Sequence, residues 1–335
     1  MSKAASILAG DRLTLARLLT QVENDTAQGR EVLNELFPHT GKAHLIGVTG
    51  APGTGKSSLV NQLALHYRKL NGHPNRIAIV AVDPSSPFTG GAVLGDRVRM
   101  RDLAGDPDVF IRSMASRGSL GGLAQATAAV VQTFDAAGFD IILIETVGAG
   151  QAEVGIARLA HTTLVIEAPG LGDDIQAIKA GILEIADILV VNKADRPGAE
   201  NTERSLRGML ELAHPVQRVF QHHGKSVTVP ETIQSQAPLW VPPIQRTVAT
   251  EGRGIPELVE AIRQHAAYLR ESGNWTARDR TRIQSELDTM IQETLVSEFR
   301  AKVSDTRYNE VLKQVLKRSL SPWEAVKILL NGRQE

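Results

Sequence analysis

The 335-residue chain contains no cysteine, which excludes disulfides, thiolate nucleophiles and thiolate metal sites together and fits a reducing compartment. It lacks an excess of either charge, because 37 Lys and Arg balance 37 Asp and Glu. Without a basic field there is nothing to steer nucleic acid or an anionic membrane to the chain. Long hydrophobic runs are missing too, and Met1 to Gly10 offers one Lys and no apolar core of a leader. A soluble, cytoplasmic protein is expected. The length suits one large α/β domain with helical additions.

What is present is a change of period. Leu13, Leu15, Leu18, Leu19, Val22, Val32, Leu33 and Leu36 recur at helical spacing, with a break expected near Gly29 and a stop at Pro38. From Ala43 short apolar runs alternate with longer amphipathic stretches, the pattern of a parallel sheet covered by helices. Strands are expected at 44–49, 76–82, 109–112, 140–145, 162–167, 188–192 and 244–247. After Gly254 the chain reads as helix: Pro256 to Leu269, Arg278 to Lys302, and Tyr308 to Leu330. The expected division is a helical arm (1–42), a catalytic α/β domain (43–270) and a helical extension (271–335).

Gly50-Ala51-Pro52-Gly53-Thr54-Gly55-Lys56-Ser57-Ser58 follows a strand, opens a helix and fits G-x-x-x-x-G-K-[ST]. Glycines turn backbone N–H groups toward phosphate oxygens and the helix N-terminus adds positive potential. Lys56 reaches the β/γ phosphates, and Ser57 offers a hydroxyl to Mg²⁺. Asn192-Lys193-Ala194-Asp195, directly after an apolar strand, matches the guanine-reading pattern N-K-x-D. A carboxylate at Asp195 accepts from the ring N–H and exocyclic amine of guanine, a donor pair adenine lacks. GTP and GDP are therefore the expected ligands. Thr247 to Gly252 resembles the weaker base-contacting loop of such proteins, with Val248, Ala249 and Thr250 as its candidate contacts and Val where Ser is usual; a plain strand-to-helix loop reads the same way. In Asp140-Ile-Ile-Leu-Ile-Glu145 an apolar strand ends in a carboxylate able to hold Mg²⁺, and Gly148 can bring its N–H to the γ-phosphate. Gln151 is either a water-orienting residue or a surface glutamine.

Three segments together resemble the MeaB/ArgK family: Glu145-Thr-Val-Gly-Ala-Gly-Gln151, the run from Asp83 to Met100, and Arg117-Gly-Ser-Leu-Gly-Gly122. The resemblance extends from the N-terminal arm to about Leu330. It implies an α/β P-loop NTPase of the SIMIBI class, with a mostly parallel central sheet flanked by helices and helical extensions at both ends. It implies a GTP-hydrolysing chaperone that gates adenosylcobalamin loading and protects its partner; with no evident arginine finger in the sequence, basal hydrolysis is expected to be slow and partner-stimulated. That partner would be an adenosylcobalamin-dependent acyl-CoA mutase, usually methylmalonyl-CoA mutase, and cobalamin adenosyltransferase is a further candidate. By the same resemblance Asp83, Asp96 and Glu145 stand near Mg²⁺ with Ser57. Asp83 is expected to end a strand beside the P-loop strand, and Asp96 to lie in a loop able to fold over the site. Arg97, Arg99 and Arg101 offer either charge to the γ-phosphate or a solvated face.

Gly170 to Gly181 resembles the family's additional switch loop, with Asp173, Asp174 and Gln176 at its start and Lys179 as the residue linked to partner signalling. Asp173 and Asp174 read equally as a helix cap. His161, His214, His222 and His223 lack helical zinc spacing and are expected to be polar loop residues. The stripe Ile283, Leu287, Met290, Ile291, Leu295 and Phe299 suits an intramolecular core or a dimer arm, and the resemblance favours a homodimer. Two other classes remain. A metallochaperone GTPase would need a His- or Cys-rich delivery segment, and a transport-associated ATPase or kinase would need ATP, against which Asp195 argues.

Overall fold

The computed structural model describes residues 2–70, 75–84, 100–103, 105–116, 120–146, 151–170, 184–213, 221–222, 225–226 and 239–331. By compactness the chain divides into Met1–Arg282 and Ile283–Glu335.

The first unit opens with α1 (Lys3–Leu8), α2 (Arg12–Glu23) and α3 (Ala27–Leu36). The expected break at Gly29 is instead at Asn24-Asp25-Thr26, where Asp25 is left-handed (φ 51°) and the Thr26 hydroxyl caps α3. Gly29 lies inside α3, and a Cβ there would press on the Gln21 carbonyl at 2.9 Å. The glycine allows α3 to approach α2 rather than ending a helix. Leu15, Leu18, Leu19 and Leu36 join one core with Val80 and Ile142 of the sheet and Phe134 of the helix spanning Leu120–Ala136, so these helices are packed, not appended.

The sheet holds β1 (His44–Thr49), β2 (Ile77–Pro84), β3 (Val109–Ser116), β4 (Ile141–Thr146), β5 (Thr162–Glu167), β6 (Ile188–Asn192) and, after a short antiparallel pair β7 (Gln221–His222) and β8 (Lys225–Ser226), the edge strand β9 (Ile244–Thr247). Its order is β3-β2-β4-β1-β5-β6-β9, and every pairing is parallel. The continuous apolar runs are explained by burial on both faces, under α4 (Lys56–Lys69) and α8 (Ile255–Glu271) on one side and α5 (Leu120–Ala136) on the other. Among the described residues, α6 (Gln151–Leu159) and α7 (Ala199–Ala213) also pack on the strands. One expected neighbour is corrected. Asp83 ends β2, but β4 stands between β2 and the P-loop strand β1, so Glu145 rather than Asp83 is on the adjoining strand.

Helix α9 (Asn274–Lys302) begins in the first unit, and Ile283–Glu335 holds the remainder with α10 (Asp305–Leu316) and α11 (Pro322–Asn331). The single helix expected from Tyr308 to Leu330 is thus two, parted where Arg318 takes φ 61° and Pro322 restarts the chain at a first helical position. No helix among the described residues is long and apolar enough to cross a membrane.

Candidate nucleotide site

At the C-terminal end of β1 the backbone turns at Gly50 (φ 137°), where any Cβ would collide with the carbonyl of Ile166 on β5. Only glycine lets the loop leave the sheet this close to its neighbour. Gly53 and Gly55 are left-handed, and α4 starts with no side chain capping its first turn, so those N–H groups are oriented for an anion. The Lys56 ammonium is buried and donates to the carbonyls of Gly50 (2.8 Å) and Ala51 (3.0 Å), while the Thr54 hydroxyl donates to Ala51 O (2.9 Å). One residue later the Ser57 hydroxyl donates to Glu145 Oε1 at 2.7 Å, joining P-loop helix to β4, with both side chains buried. These are hard oxygen donors at the phosphate end of the crevice, and their chemistry fits Mg²⁺.

The base end is assembled from three strands. Asn192, 1% exposed, donates from Nδ2 to the Thr54 carbonyl (2.8 Å) and accepts at Oδ1 from the Thr247 hydroxyl and the Ala249 N–H, both at 3.1 Å. Its amide therefore ties the P-loop to the loop after β9. Lys193, left-handed at φ 55°, donates from Nζ to Gly53 O (2.5 Å), and Asp195 is exposed in the turn that follows. Val248 and Ala249 are buried beneath that turn, Val248 bridges to Arg253, and Thr250 is exposed. Thr247, which opens the expected base-contacting loop, enters the site through its hydroxyl on Asn192, a link between β9 and β6 that its place in the sequence does not show.

The expected site residues divide accordingly. At the C-terminal ends of the strands, hydrogen bonds tie the P-loop (Gly50 to Ser58) to Glu145, Asn192 and Lys193, and Asn192 to Ala249, while Asp195, Val248 and Thr250 stand in the turns that follow β6 and β9. Asp83 is placed by its backbone at the end of β2, opposite Ala115. Asp96, Arg97, Arg99, Gly148, Asp173, Asp174, Gln176, Lys179, His214 and His223 lie outside the described residues, as do most of the Asp83–Met100 run and Arg117 to Ser119. Arg101 begins a short 3-10 turn, and Gln151 begins α6. His161 departs from its expectation only in its burial. It does lie in a loop, the bend before β5, but it is 3% exposed and stacked on Trp275 with centroids 4.0 Å apart.

With that geometry in place, residues 15–304 match the family model described as methylmalonyl Co-A mutase-associated GTPase MeaB. The chain belongs to the MeaB family. Among relatives, a Pyrococcus horikoshii protein with a provisional GTPase name is 44% identical over 96% of this chain and 94% of its own length. GTPase ArgK of Escherichia coli is 34% identical over 93% of this chain and 90% of its own. The mitochondrial methylmalonic aciduria type A homolog of Mus musculus is 30% identical over 97% and 77%. Among solved structures, one titled LAO/AO transport system kinase superposes with a TM-score of 0.70 at 27% identity, covering 99% of this chain and 97% of that one. A P-loop GTPase fold is thereby common to the MeaB members and this chain.

Proposed function

We propose that this MeaB-family GTPase binds GTP with Mg²⁺ at the head of β1 and hydrolyses it as a chaperone of an adenosylcobalamin-dependent acyl-CoA mutase, methylmalonyl-CoA mutase being the first candidate. The carrying observation is the pair of ties on one loop: Ser57 to Glu145 at the phosphate end and Asn192 to Thr54 at the base end. The mutase is supported by the family's description and by the name of the mouse relative.

In this reading Lys56 exchanges the Gly50 and Ala51 carbonyls for β/γ phosphate oxygens, and the uncapped first turn of α4 receives the phosphate charge. Ser57 and Glu145 would hold Mg²⁺, which neutralises charge developing on the phosphates. Asp195 reads guanine, while Asn192 holds the base loop and the P-loop at a fixed separation. Asp83, Asp96 and Gly148 are assigned to the metal and γ-phosphate, and Asp173, Asp174, Gln176 and Lys179 to partner signalling, on the family resemblance. Homodimerisation is proposed from the second unit, where Ile283, Leu287, Met290 and Leu295 are exposed rather than in an intramolecular core.

Basal turnover is expected to be slow, since phosphoryl transfer depends on charge and water alignment that a partner can complete. Phosphate release is measured with and without stoichiometric purified mutase, and at least about tenfold stimulation is expected, about 1.4 kcal/mol of transition-state stabilisation. Lys179→Ala should lose most of that stimulation and keep the basal rate. No stimulation by any adenosylcobalamin-dependent mutase would refute the chaperone assignment.

A further inference from the structure

At the opposite, N-terminal edge of the same strands the structure buries a polar cluster that the nucleotide reaction does not use. His161, just before β5, exchanges two hydrogen bonds with Leu45 of β1: its backbone N–H donates to Leu45 O (2.8 Å), and its ring Nδ1 accepts from Leu45 N–H (3.1 Å). A backbone N–H can only donate, so Nδ1 carries no proton. The remaining nitrogen, Nε2, then bears the hydrogen and donates to Asp279 Oδ1 at 2.9 Å. The neutral tautomer is thus fixed by its partners. Trp275 covers the ring face, and Arg270 in turn lies 4.2 Å over the Trp275 ring. Trp275 and Asp279 are both in the first turns of α9, so this one imidazole joins that helix to β1 and β5.

The surroundings leave no room for a second proton without rearrangement. On α9, Asp279 also takes Arg282 (2.7 Å), and Arg278 donates to the His161 carbonyl (2.5 Å) and to both oxygens of Asp187. On the sheet side, His44 Nε2 meets the Thr162 hydroxyl at 2.8 Å, and the same hydroxyl meets His265 Nδ1 of α8 at 2.9 Å. His265 Nε2 lies 3.2 Å from Asp187 Oδ1. A proton added to His161 Nδ1 would turn its bond with Leu45 into two donors facing each other, in a pocket that already holds Arg278 and Arg282.

We propose that His161 is a protonation-gated latch, whose doubly protonated ring releases the first turns of α9 from the starts of β1 and β5. Burial pulls its pKa below the ordinary 6.5, against the raising influence of Asp279, and burial likewise holds His44 at about 3. The sign follows. A closed latch binds the proton less readily than an open one, so closure is fully present above pH about 6.5 and weakens as pH falls from there toward the closed-state value. Each proton taken up on opening shifts the open population tenfold per pH unit within that window.

The test is hydrogen–deuterium exchange of the full chain between pH 7.5 and 5, corrected for intrinsic chemistry, with ¹⁵N-histidine NMR of the same protein. Residues 274–282 should open up to tenfold more per pH unit below about 6.5 while α4 stays protected. His161→Gln, which keeps an acceptor and a donor but cannot titrate, should flatten that slope. The NMR should show neutral, Nε2-protonated His161 at pH 7.5. The proposal is overturned by pH-independent exchange at 274–282, by an undiminished slope in His161→Gln, or by a ring that titrates while α9 remains protected. Should His161→Gln fail to fold, the NMR titration and the parent exchange profile decide alone.

Discussion

Removing the side chain of Asn192 tests how the nucleotide crevice is built. Asn192→Ala deletes three hydrogen bonds and strands their partners, the Thr54 carbonyl, the Thr247 hydroxyl and the Ala249 N–H, on residues that are all buried. A buried group left unpaired costs about 1–3 kcal/mol, so three of them give roughly 3 kcal/mol even at the low end. For a unit of this size that corresponds to a melting-temperature drop of about 5 °C. Affinity for GTP should fall as well, by about tenfold or more, because P-loop and base loop lose their fixed spacing. Thermal melts of the nucleotide-free protein and titration calorimetry with GTP measure the two effects. Asn192→Asp is the isosteric control. It keeps acceptors for Thr247 and Ala249, loses the donor to Thr54, and should retain part of the stability. Unchanged stability with lost GTP affinity would refute the argument, since the amide would then serve the nucleotide and not the scaffold.

Other outcomes follow from the same structure. Gly50→Ala should abolish GTP binding in an equilibrium assay, because its Cβ meets the Ile166 backbone and cannot rotate away; retained binding would mean the loop departs from β5. Asp195→Asn should move preference from GTP toward xanthosine triphosphate, where the amide donates to the carbonyl that replaces the amine; unchanged preference by calorimetry removes the base-reading role. Asp187→Asn should destabilise the protein at neutral pH by on the order of 2 kcal/mol. Burial alone would raise this carboxyl, but hydrogen bonds from Arg278 and His265 bring it to about 2. Its stabilisation is present above the ordinary 3.8 and lost as pH falls toward 2, so urea melts at pH 7 and pH 2.5 should show the variant's deficit shrinking in acid.

The sequence disclosed what is local. Strands at 44–49, 162–167 and 188–192 have the bounds their apolar runs suggested, because each run is buried on both faces, and the edge strand at 244–247 keeps its expected bounds although only Thr247 in it is buried. The P-loop was legible because steric demand at Gly50, Gly53 and Gly55 leaves few other residues possible. What the sequence hid depends on distant partners. Nothing near Asp83 indicates that β4 comes between its strand and β1. Gly29 looks like a break until Gln21 is set beside it. His161 looks like a polar loop residue because Trp275, Asp279 and Leu45 are far away in the chain.

The order of the strands also bears on synthesis. The phosphate loop is encoded near the start, yet Gly50 rests on Ile166, Thr54 is held by Asn192, and Asn192 in turn needs Ala249. Some 200 residues must therefore leave the ribosome after the loop before its last support arrives, about 10–40 s at 5–20 residues per second. Contacts of such sequence separation form late in folding. A nascent chain should thus display the loop's sequence long before it has a working nucleotide crevice, and GTP, by binding only the finished scaffold, would report that translation has passed β9.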